Sequence, residues 1–500
     1  MSEKVNVGME RERTGSDLAK GSVGLWHVIA EGLMANAPMS TFAVVFGAVA
    51  VYSLGASPIA FLVGAVVVWL WVNTPYQFSK KMHSASGIQN FVHNGVGPRA
   101  GFMAGLSYYL YYMAIISSNA IAYALVIQYV LSTFSINLPV WAWIPLTILI
   151  LVPGFAINYF GIKTSLNYGI ITVILELVVI VILSIAIIIV VGPANTIAVY
   201  NPRLGSGGLI GFAIGMLTAS YTMSGTTATV YLGYEAKVPQ RNIKRGLVIA
   251  TFLIVFVFVL FSYALTVGWG LKTITGIGVA PAPGIQEVLK YFGPVPEAII
   301  AIMALNSFFG LSVASMIICS RLGLTFGKQG FFPSFTKNIH AKHNTPYLSL
   351  ILVFVLSIIW AFIMAAILGA FNAYIWLILE ATIAEFIGHI IADVSLASYF
   401  SREKRMDIIK HGVIPSASII IILFGIFFTF YPVSYPIILA PVFTLVVLIL
   451  GGLWATVVIR RKGISVVNRG IESLAIEASE SNPNNLDNVW SYDSNRIRNT

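Results

Sequence analysis

Long apolar stretches separated by short polar segments dominate the pattern of this 500-residue chain. A membrane-spanning helix needs about 20 apolar residues, and twelve stretches reach that length. The pattern therefore predicts an all-α membrane protein with 12 transmembrane helices. The predicted spans cover residues 25–53, 58–79, 98–134, 139–158, 166–192, 207–233, 245–270, 296–324, 346–369, 371–399, 413–431 and 436–459.

The sixth predicted span is interrupted where Gly225 stands among the hydroxyl residues Thr222, Ser224 and Thr227. In lipid each unmet backbone group costs several kcal/mol, so a helix break is tolerated where the freed groups face a cavity, a ligand or neighbouring protein. The alternative is an ordinary helix whose serine and threonine side chains pack closely against neighbours. A second break in the chain favours the first interpretation.

That second break lies in the first span, at Asn36-Ala37-Pro38. Proline cannot donate a backbone hydrogen bond and clashes with the preceding turn, so it breaks or kinks a helix. The two breaks are five spans apart, and interrupted helices at matching positions of two halves indicate an inverted-repeat transporter with a site at the bilayer midplane. The predicted organisation is a tail (1–24), two five-helix repeats (25–199 and 200–400), two added helices (401–460) and a second tail (461–500).

Composition and charge support a membrane protein with both termini in the cytoplasm. The chain is 58% hydrophobic and only 10% charged, which excludes an ordinary soluble domain. With both termini on one side, that side holds every lysine and arginine except Arg203, Lys272 and Lys290. Positive residues accumulate in the cytoplasm, so the net charge of +10 reports orientation in the plasma membrane, and no nucleic acid partner is expected.

Other functional classes have little support in the sequence. The only cysteine, Cys319, excludes an internal disulfide, and no spacing of acidic residues and histidines predicts a metal or cofactor site. The chain also lacks a reactive constellation typical of a membrane-embedded enzyme. The residues beyond Lys462 are polar, so the pattern predicts a tail that buries no core.

The two breaks define the expected substrate site. Free N–H groups at the start of a half-helix carry positive partial charge and suit a carboxylate, while free carbonyl groups suit an ammonium ion or another cation. A zwitterionic amino acid fits both. The residues expected to bind substrate at the breaks are Ala35, Asn36, Ala37, Met39, Ser40, Thr41, Thr222, Ser224, Gly225 and Thr227.

Acidic residues inside spans are candidates for proton coupling or gating, because each costs about 2.5–3.5 kcal/mol at the bilayer centre. No lysine or arginine lies well inside a span to neutralise them. Glu385, His389 and Asp393 share one helix face. The alternatives for this face are a proton relay, a wall that attracts cations and a static polar contact with a neighbouring helix. Glu380 belongs to another surface. The other candidates are Glu31, paired with His27 as an inner gate, and Glu176.

Three motifs resemble those of the amino acid–polyamine–organocation (APC) permeases. They are Gly87 with Gly-Pro-x-x-Gly-Phe-x-x-Gly at residues 97–105, Glu-x-x-x-Pro-x-Arg-x-Ile at 235–243, and Ser320-Arg321, Gly330-x-x-Pro333 and Thr345-Pro346 after the eighth span. The resemblance implies a leucine-transporter-like fold with helices 1 and 6 interrupted. It also implies a lid role for Tyr221, proton coupling through Glu176, and, as an alternative, a sodium site containing Ser312 and Ser315. Two departures are the first break, which is not glycine-rich, and Thr227, where many relatives carry glutamate.

The sequence thus predicts a secondary active permease that moves an amino acid or related amine by alternating access with proton coupling. The intramembrane carboxylates favour cationic or neutral substrates, and Tyr108, Tyr112, Asn306 and Glu380 are expected to shape the choice of side chain. Alternatives are a sodium-coupled symporter, an exchanger, or a nutrient sensor built on the same fold. A channel is disfavoured because paired interrupted helices indicate alternating access.

Overall fold

The structure is a computed structural model that describes residues 17–278, 280–430 and 435–477. Within these residues ten helical segments are long and apolar enough to cross a membrane. The all-α class is confirmed, and the chain is a multi-pass membrane protein. The segments are Leu25–Phe78, Pro98–Thr133, Val140–Tyr159, Ile162–Ala194, Pro239–Trp269, Pro294–Gln329, Tyr347–Leu368, Ala370–Arg402, Ile408–Phe430 and Leu439–Lys462.

The first of these segments is not one continuous helix. It contains α1 (Leu25–Met34), α2 (Pro38–Ser40), a π-helical turn (Thr41–Val45), α3 (Phe46–Ser53), a 3-10 turn (Leu54–Ala56) and α4 (Ser57–Phe78). Ala37 has a left-handed backbone with φ of 42°, which separates α1 from α2 and confirms the predicted break. Leu54 also has φ of 42° and marks the junction between α3 and α4.

The remaining helices follow in chain order. They are α5 (Ile88–Val96), α6 (Pro98–Thr133), α7 (Trp143–Tyr159), α8 (Ile162–Val191), α9 (Leu209–Thr222), α10 (Pro239–Trp269), α11 (Pro283–Phe292), α12 (Pro294–Gln329), α13 (Tyr347–Leu368), α14 (Ala370–Arg402), α15 (Ile414–Phe430), α16 (Leu439–Lys462) and α17 (Ile464–Glu472). After α9 the chain continues as a 3-10 helix, Ser224–Leu232. Nine residues is unusually long for this conformation, which rarely exceeds three or four and often marks a functional hinge.

The Gly-Pro-x-x-Gly-Phe-x-x-Gly motif packs α5 against the start of α6. Gly97 has φ of 106°, and Pro98 occupies the first helical position, where its missing N–H is not needed. A Cβ at Gly101 would lie 2.9 Å from the His93 Cα, and one at Gly105 would lie 3.0 Å from Gln89. The glycine spacing therefore allows the two helices to approach closely.

The centre of the molecule is formed by α6, α12 and α14, while several outer helices present apolar side chains outward. Tyr108, Tyr112 and Phe308 are among the largest fully buried side chains. Large apolar residues are instead exposed on α8, α13, α15 and α16, for example Ile171, Ile189, Ile367, Ile420 and Leu453. A rim of this kind suits the hydrocarbon core of a bilayer.

The polar segment after Lys462 is partly folded, which corrects the expectation that it buries no core. Strand β2 (Ala475–Glu477) pairs antiparallel with β1 (Met82–Ser84), directly after α4. Gly470 of α17 packs so closely on the end of α12 that a Cβ there would lie 2.6 Å from the Lys328 carbonyl oxygen. Leu474 and Ile476 are buried in a small cluster with residues from four other segments: Leu18, Ala85, Tyr234 and Leu324. A few well-placed apolar residues are enough to dock a mostly polar segment.

Candidate functional site

The two interrupted segments touch each other at their breaks. A Cβ at Gly225 would overlap the carbonyl oxygen of Ala35, so only glycine fits this crossing without a backbone shift. One turn earlier in α1, a Cβ at Gly32 would lie 2.8 Å from the Thr229 Cγ2. The structure therefore brings together the two regions that the sequence analysis singled out separately.

At the first break, side chains of the same segment bind carbonyl groups on both sides of the break. The Ser40 hydroxyl donates to the Ala37 carbonyl at 3.1 Å, and the Thr41 hydroxyl donates to the Asn36 carbonyl at 3.1 Å. The Asn36 amide nitrogen donates to the Gly32 carbonyl at 2.5 Å. Three of the predicted site residues thus stabilise the break itself.

The N–H end of the second half-helix is bound by Glu176 of α8. The Met39 backbone N–H donates to one carboxylate oxygen at 3.2 Å, and the Ser307 hydroxyl donates to the same oxygen at 2.7 Å. The Asn306 amide donates to the other oxygen at 3.2 Å and its own oxygen accepts from Tyr168 at 2.7 Å. Glu176 of α8 therefore links the first break to α12.

At the second break the hydroxyl groups also fold back onto their own segment. Thr222 donates to the Ala219 carbonyl at 2.8 Å, Ser224 to the Tyr221 carbonyl at 2.9 Å, and Thr227 to the Ser224 carbonyl at 3.2 Å. The 3-10 geometry and these bonds satisfy carbonyl groups that an α-helix would bind through its backbone.

Beside the second break lies a small enclosed cavity with room for about one water molecule. Its lining combines Ser224 and Thr227 with Glu385 and His389 of α14, and it is closed by Trp71, Phe386 and Ile422. The Tyr108 hydroxyl lies 3.3 Å from His389 Nδ1. Five of the predicted site residues therefore meet at one place.

The predicted titratable face of α14 is also present. Asp393 accepts hydrogen bonds from Thr74 of α4 and Ser418 of α15, both at 2.5 Å, and its carboxylate lies 3.9 Å from His389 Nε2. Glu380 points elsewhere, as expected from its position on the helix, and accepts from the Trp360 indole at 2.9 Å. This placement gives no support to the expectation that Glu380 shapes substrate choice.

The end of the site that lies beside the basic loops is closed by a buried ion pair. Arg321 of α12 binds both carboxylate oxygens of Glu235 at 2.7 Å, and both residues are buried. Glu31 is fully buried and lies within electrostatic reach of this pair, with no hydrogen-bond partner among the described residues. His27 contacts Asn167 at 2.8 Å instead of Glu31, so the expected His27–Glu31 pair is not formed here.

The opposite end is covered by α11, which connects α10 to α12. Gly284 lies so close to the π-helical turn that a Cβ would overlap the Phe42 carbonyl oxygen. Glu287 of α11 is 1% exposed. Burial raises the pKa of its carboxyl from 4.5 to about 9, while the positive charge of Lys290 opposes the shift. A protonated carboxyl is thus part of the closed arrangement.

The remaining predicted residues lie at the margins of these contacts. Tyr221 is partly buried and makes an edge-to-face contact with Tyr111, with ring centroids 6.4 Å apart. Ser312 donates to the Phe308 carbonyl at 3.0 Å, and the buried Ser315 hydroxyl has no partner in the described part of the chain. Among the described residues no group of three histidines, cysteines or acids could hold a metal ion.

Sequence reasoning missed several residues of the site. Ser307 completes the contacts of Glu176, and Trp71 lines the cavity. Tyr111 and Tyr231 join Tyr108 and Tyr112 in one aromatic cluster. The repeated tyrosines at 108–112 were a visible signal for part of this cluster. An open groove of about 800 Å³ between residues 17–22, 160–164 and 341–344 is lined by none of the predicted site residues.

Comparison with known proteins identifies the family of the chain. A family model described as amino acid permease matches residues 33–469. The chain belongs to the amino acid permease family. This confirms the resemblance to the APC superfamily that the three motifs indicated, over most of the chain.

Relatives of this permease are transporters of several kinds. It is 20% identical to a putative histidine permease of Bacillus subtilis over 297 residues, which are 58% of this chain and 61% of that protein. It is 21% identical to a methylthioribose transporter of the same organism over 322 residues, which are 61% of this chain and 67% of that protein. It is 22% identical to a low-affinity putrescine importer of Escherichia coli over 331 residues (65% and 71%). The aligned part of the permease therefore spans about 61–71% of the length of these relatives.

Solved structures show the same fold. Crystal structures of mutant manganese transporters from Eremococcus coleocola superpose with TM-scores of 0.53 and 0.52 at 15% and 14% identity, covering 89% of this chain and 95% of theirs. The family and these relatives are transporters, so the permease belongs to a class of transport proteins and not of enzymes.

Proposed function

We propose that the protein is a secondary active permease that moves an amino acid or a related amine across the plasma membrane by alternating access, with both termini in the cytoplasm. The observation that carries this proposal is the contact between the two helix breaks, where Gly225 lies against the Ala35 carbonyl. Broken helices that meet inside a membrane protein are the usual framework of a transporter substrate site.

The proposal includes 12 crossings in two five-helix repeats followed by two added helices. The segment Leu25–Phe78 has 54 residues, which at about 1.5 Å per residue is more than twice the ~30 Å hydrocarbon core. Its turn at Leu54–Ala56 divides it into two crossings. Helix α9 with its 3-10 continuation supplies the other additional crossing. One interrupted span then falls in each repeat, residues 25–199 and 200–400.

Closed contacts at both ends support alternating access. The Arg321–Glu235 pair with the buried Glu31 would form the inner gate, and α11 would form the outer one. Because the cavity beside Ser224 holds only about one water molecule, substrate entry requires one of these ends to open. We propose that the inner gate opens when Arg321 separates from Glu235.

Substrate would be held between the two breaks and the adjoining helices. The proposed contacts are Ala35, Asn36, Ala37, Met39, Ser40, Thr41, Thr222, Ser224, Gly225 and Thr227, together with Tyr108 and Asn306. Tyr221 would close over the bound molecule. Similarity to a histidine permease and a putrescine importer supports amino acids and amines as the substrate range.

Glu176 is the proposed coupling group. Its carboxylate accepts three hydrogen bonds, one of them from the N–H of Met39 at the start of the second half-helix. A protonated carboxyl accepts hydrogen bonds less strongly than a carboxylate, so a proton on Glu176 would loosen this half-helix. Glu385, His389 and Asp393 would carry or sense the proton along α14.

Sodium coupling through Ser312 and Ser315 is the alternative, because the Ser315 hydroxyl is buried with no partner among the described residues. Uptake into proteoliposomes distinguishes proton coupling from sodium coupling. A pH gradient without sodium should drive accumulation of substrate, and a sodium gradient at symmetrical pH should not. The reverse result would favour sodium. Counterflow without any gradient tests transport itself, and its absence would favour the sensor alternative.

The coupling role is tested with Glu176→Gln. This variant should still exchange substrate in counterflow but should lose accumulation driven by the pH gradient. Glu380→Gln is the matched control, since Glu380 is equally buried but bonds to Trp360, and it should keep pH-driven accumulation. If Glu176→Gln accumulates substrate with unchanged pH dependence, Glu176 is not the coupling group.

A further inference from the structure

We propose that the C-terminal strap, which consists of α17 and β2 (residues 464–477), holds the inner gate closed, and that β2 must leave β1 before the gate opens. The inference rests on the proposed transport function and adds a control over its inner gate. The strap binds the chain on both sides of that gate. One side is α12, which carries Arg321, and the other is the segment that carries Glu235.

The first attachment joins α17 to the end of α12. A Cβ at Gly470 would lie 2.7 Å from the Gln329 Cα, so the two backbones are in direct contact. The Gln329 side-chain amide donates to the Val467 carbonyl at 3.4 Å. Val467 and Ile471 are both buried. Helix α17 is therefore fixed to the helix that carries Arg321.

The second attachment joins β2 to the other side of the gate. Strand β2 pairs with β1, and the Leu474 carbonyl accepts from the Ala85 N–H at 3.0 Å. Strand β1 in turn packs on the end of the 3-10 helix, where a Cβ at Gly233 would lie 2.7 Å from the Ser84 backbone nitrogen. Glu235 follows two residues later. Strand β2 is therefore fixed to the segment that carries Glu235.

A buried apolar cluster also connects the two sides of the gate through the strap. Leu474 shares this cluster with Tyr234 and Leu324. Tyr234 directly precedes Glu235, and Leu324 lies three residues after Arg321 on α12. Separation of the ion pair would pull Tyr234 away from Leu324 and expose apolar surface to water, which is unfavourable.

The connection between α17 and β2 is too short to let both attachments persist in an open gate. Only Ser473 and Leu474 lie between Glu472 of α17 and Ala475 of β2. Three steps of extended chain span at most about 11 Å. A ladder of two short strands is only marginally stable, whereas α17 buries apolar side chains against α12. We therefore expect β2 to be the end that is released.

A reversible cross-link between the two strands tests the proposal. Ser84 lies opposite Ala475. Because the next pair, Ala85 and Leu474, is hydrogen-bonded, Ser84 and Ala475 form a non-hydrogen-bonded pair, whose Cα atoms are about 4.5 Å apart in antiparallel sheets. A disulfide can span this distance. The only native cysteine, Cys319, is buried and leaves the experiment undisturbed.

The Ser84→Cys/Ala475→Cys double variant of the full-length protein is assayed by counterflow in proteoliposomes. The probe is whichever of the common amino acids or putrescine moves fastest with the wild type, and mass spectrometry measures the disulfide. The oxidised variant should transport at least about tenfold more slowly than the reduced variant, because gate opening limits transport. Each single-cysteine variant, treated with the same oxidant, should transport like the wild type.

Equal rates for the cross-linked and the reduced protein would overturn the inference and leave the transport function intact. Failure of the disulfide to form would show that the strands are not paired, and would overturn it as well. If the wild type moves none of the probes, the transport function fails and the inference fails with it.

Releasing the strap should have the opposite effect from locking it. Leu474→Asp places a charge in the buried cluster and should raise the counterflow rate at least about twofold, because the closed state loses a stabilising contact. Ser473→Asp adds the same charge at the exposed neighbouring residue and should leave the rate unchanged. A strap that only stabilises the fold would instead give slower counterflow in Leu474→Asp. An unchanged or slower rate in this variant would contradict the proposal.

Discussion

The two helix breaks solve the same backbone problem with groups from different sources. At the first break the free N–H group is bound by Glu176, an acid from another helix. At the second, Thr222, Ser224 and Thr227 bind carbonyl groups of their own segment. Both breaks have local side-chain bonds, but only at the first does an acid from another helix bind a backbone N–H group among the described contacts.

This difference gives the two breaks different chemical roles. Because an acid from α8 fills the first, its N–H group is not free for a ligand, and a change in the charge of Glu176 would act on the helix directly. The second leaves Ser224 and Thr227 on a cavity wall beside Glu385. In the proposed function, coupling would act through the first break, whereas the second break lines the cavity beside Glu385.

Separating the two breaks should have the largest effect. Gly225→Ala places a Cβ against the Ala35 carbonyl, and backbone cannot move away as a flexible side chain can. We expect a loss of about 3 kcal/mol or more in the free energy of unfolding and no measurable counterflow. Gly154→Ala is the control, because its Cβ would lie at an ordinary contact distance of 3.7 Å from Phe309. If the two variants have the same free energy of unfolding and the same counterflow, close contact between the breaks is not required.

Removing the acid at the first break should have the next largest effect. Glu176→Ala leaves the Met39 N–H and two side-chain donors unpaired and should cost about 2–3 kcal/mol. Glu176→Gln keeps an acceptor oxygen and should cost less. Thermal unfolding of the purified variants measures both, and equal melting temperatures for wild type and Glu176→Ala would contradict a stabilising role.

A pH change should act on the first break through α11, which packs against the π-helical turn. Burial raises the pKa of Glu287 from 4.5 to about 9. At pH values between these two, the Glu287 carboxyl is protonated in the closed state and deprotonated in the open or unfolded state. Stability must then fall as the pH rises through this window, by about 1–2 kcal/mol between pH 7 and 8.5. Hydrogen exchange of residues 283–292 should increase accordingly.

Glu287→Gln should remove that pH dependence, because glutamine stays neutral throughout. Glu403→Gln, which changes an exposed acid at the end of α14, is the control and should leave the dependence in place. An equally steep pH dependence in Glu287→Gln would show that another group is responsible.

The smallest effect is expected at the second break. Thr227→Val removes one hydrogen bond to the Ser224 carbonyl and should cost about 1 kcal/mol or less. Neighbouring hydroxyl groups remain to support the 3-10 segment. A cost equal to that of Glu176→Ala would remove the distinction between a locally supported break and one that depends on another helix.

The positions of the breaks could be predicted because they follow from local rules. Pro38 lacks an N–H group, and Gly225 lacks a side chain, whatever surrounds them. Glu176 was singled out through the resemblance to the permease family. Which groups bind the freed backbone could not, because that depends on distances between helices that are far apart in sequence.

The hydropathy pattern did not predict several other features of the fold. Helices α5, α11 and α17 are short and amphipathic, so an average over about 20 residues hides them. The strand pair joins Met82–Ser84 to Ala475–Glu477, and neither segment indicates its partner. The aromatic cluster includes Tyr231 beside Tyr112, a contact that forms only when α6 and the 3-10 helix are assembled.

That strand pair has a consequence for the synthesis of the protein. Strand β1 leaves the ribosome after α4, but β2 follows α17, so the ladder between them can close only when almost the entire chain has been made. The Leu474 carbonyl that accepts from the Ala85 N–H arrives equally late. A nonsense mutation shortly before Ala475 would leave every membrane helix in place and still expose an unpaired edge, which the quality-control machinery of the cell could recognise.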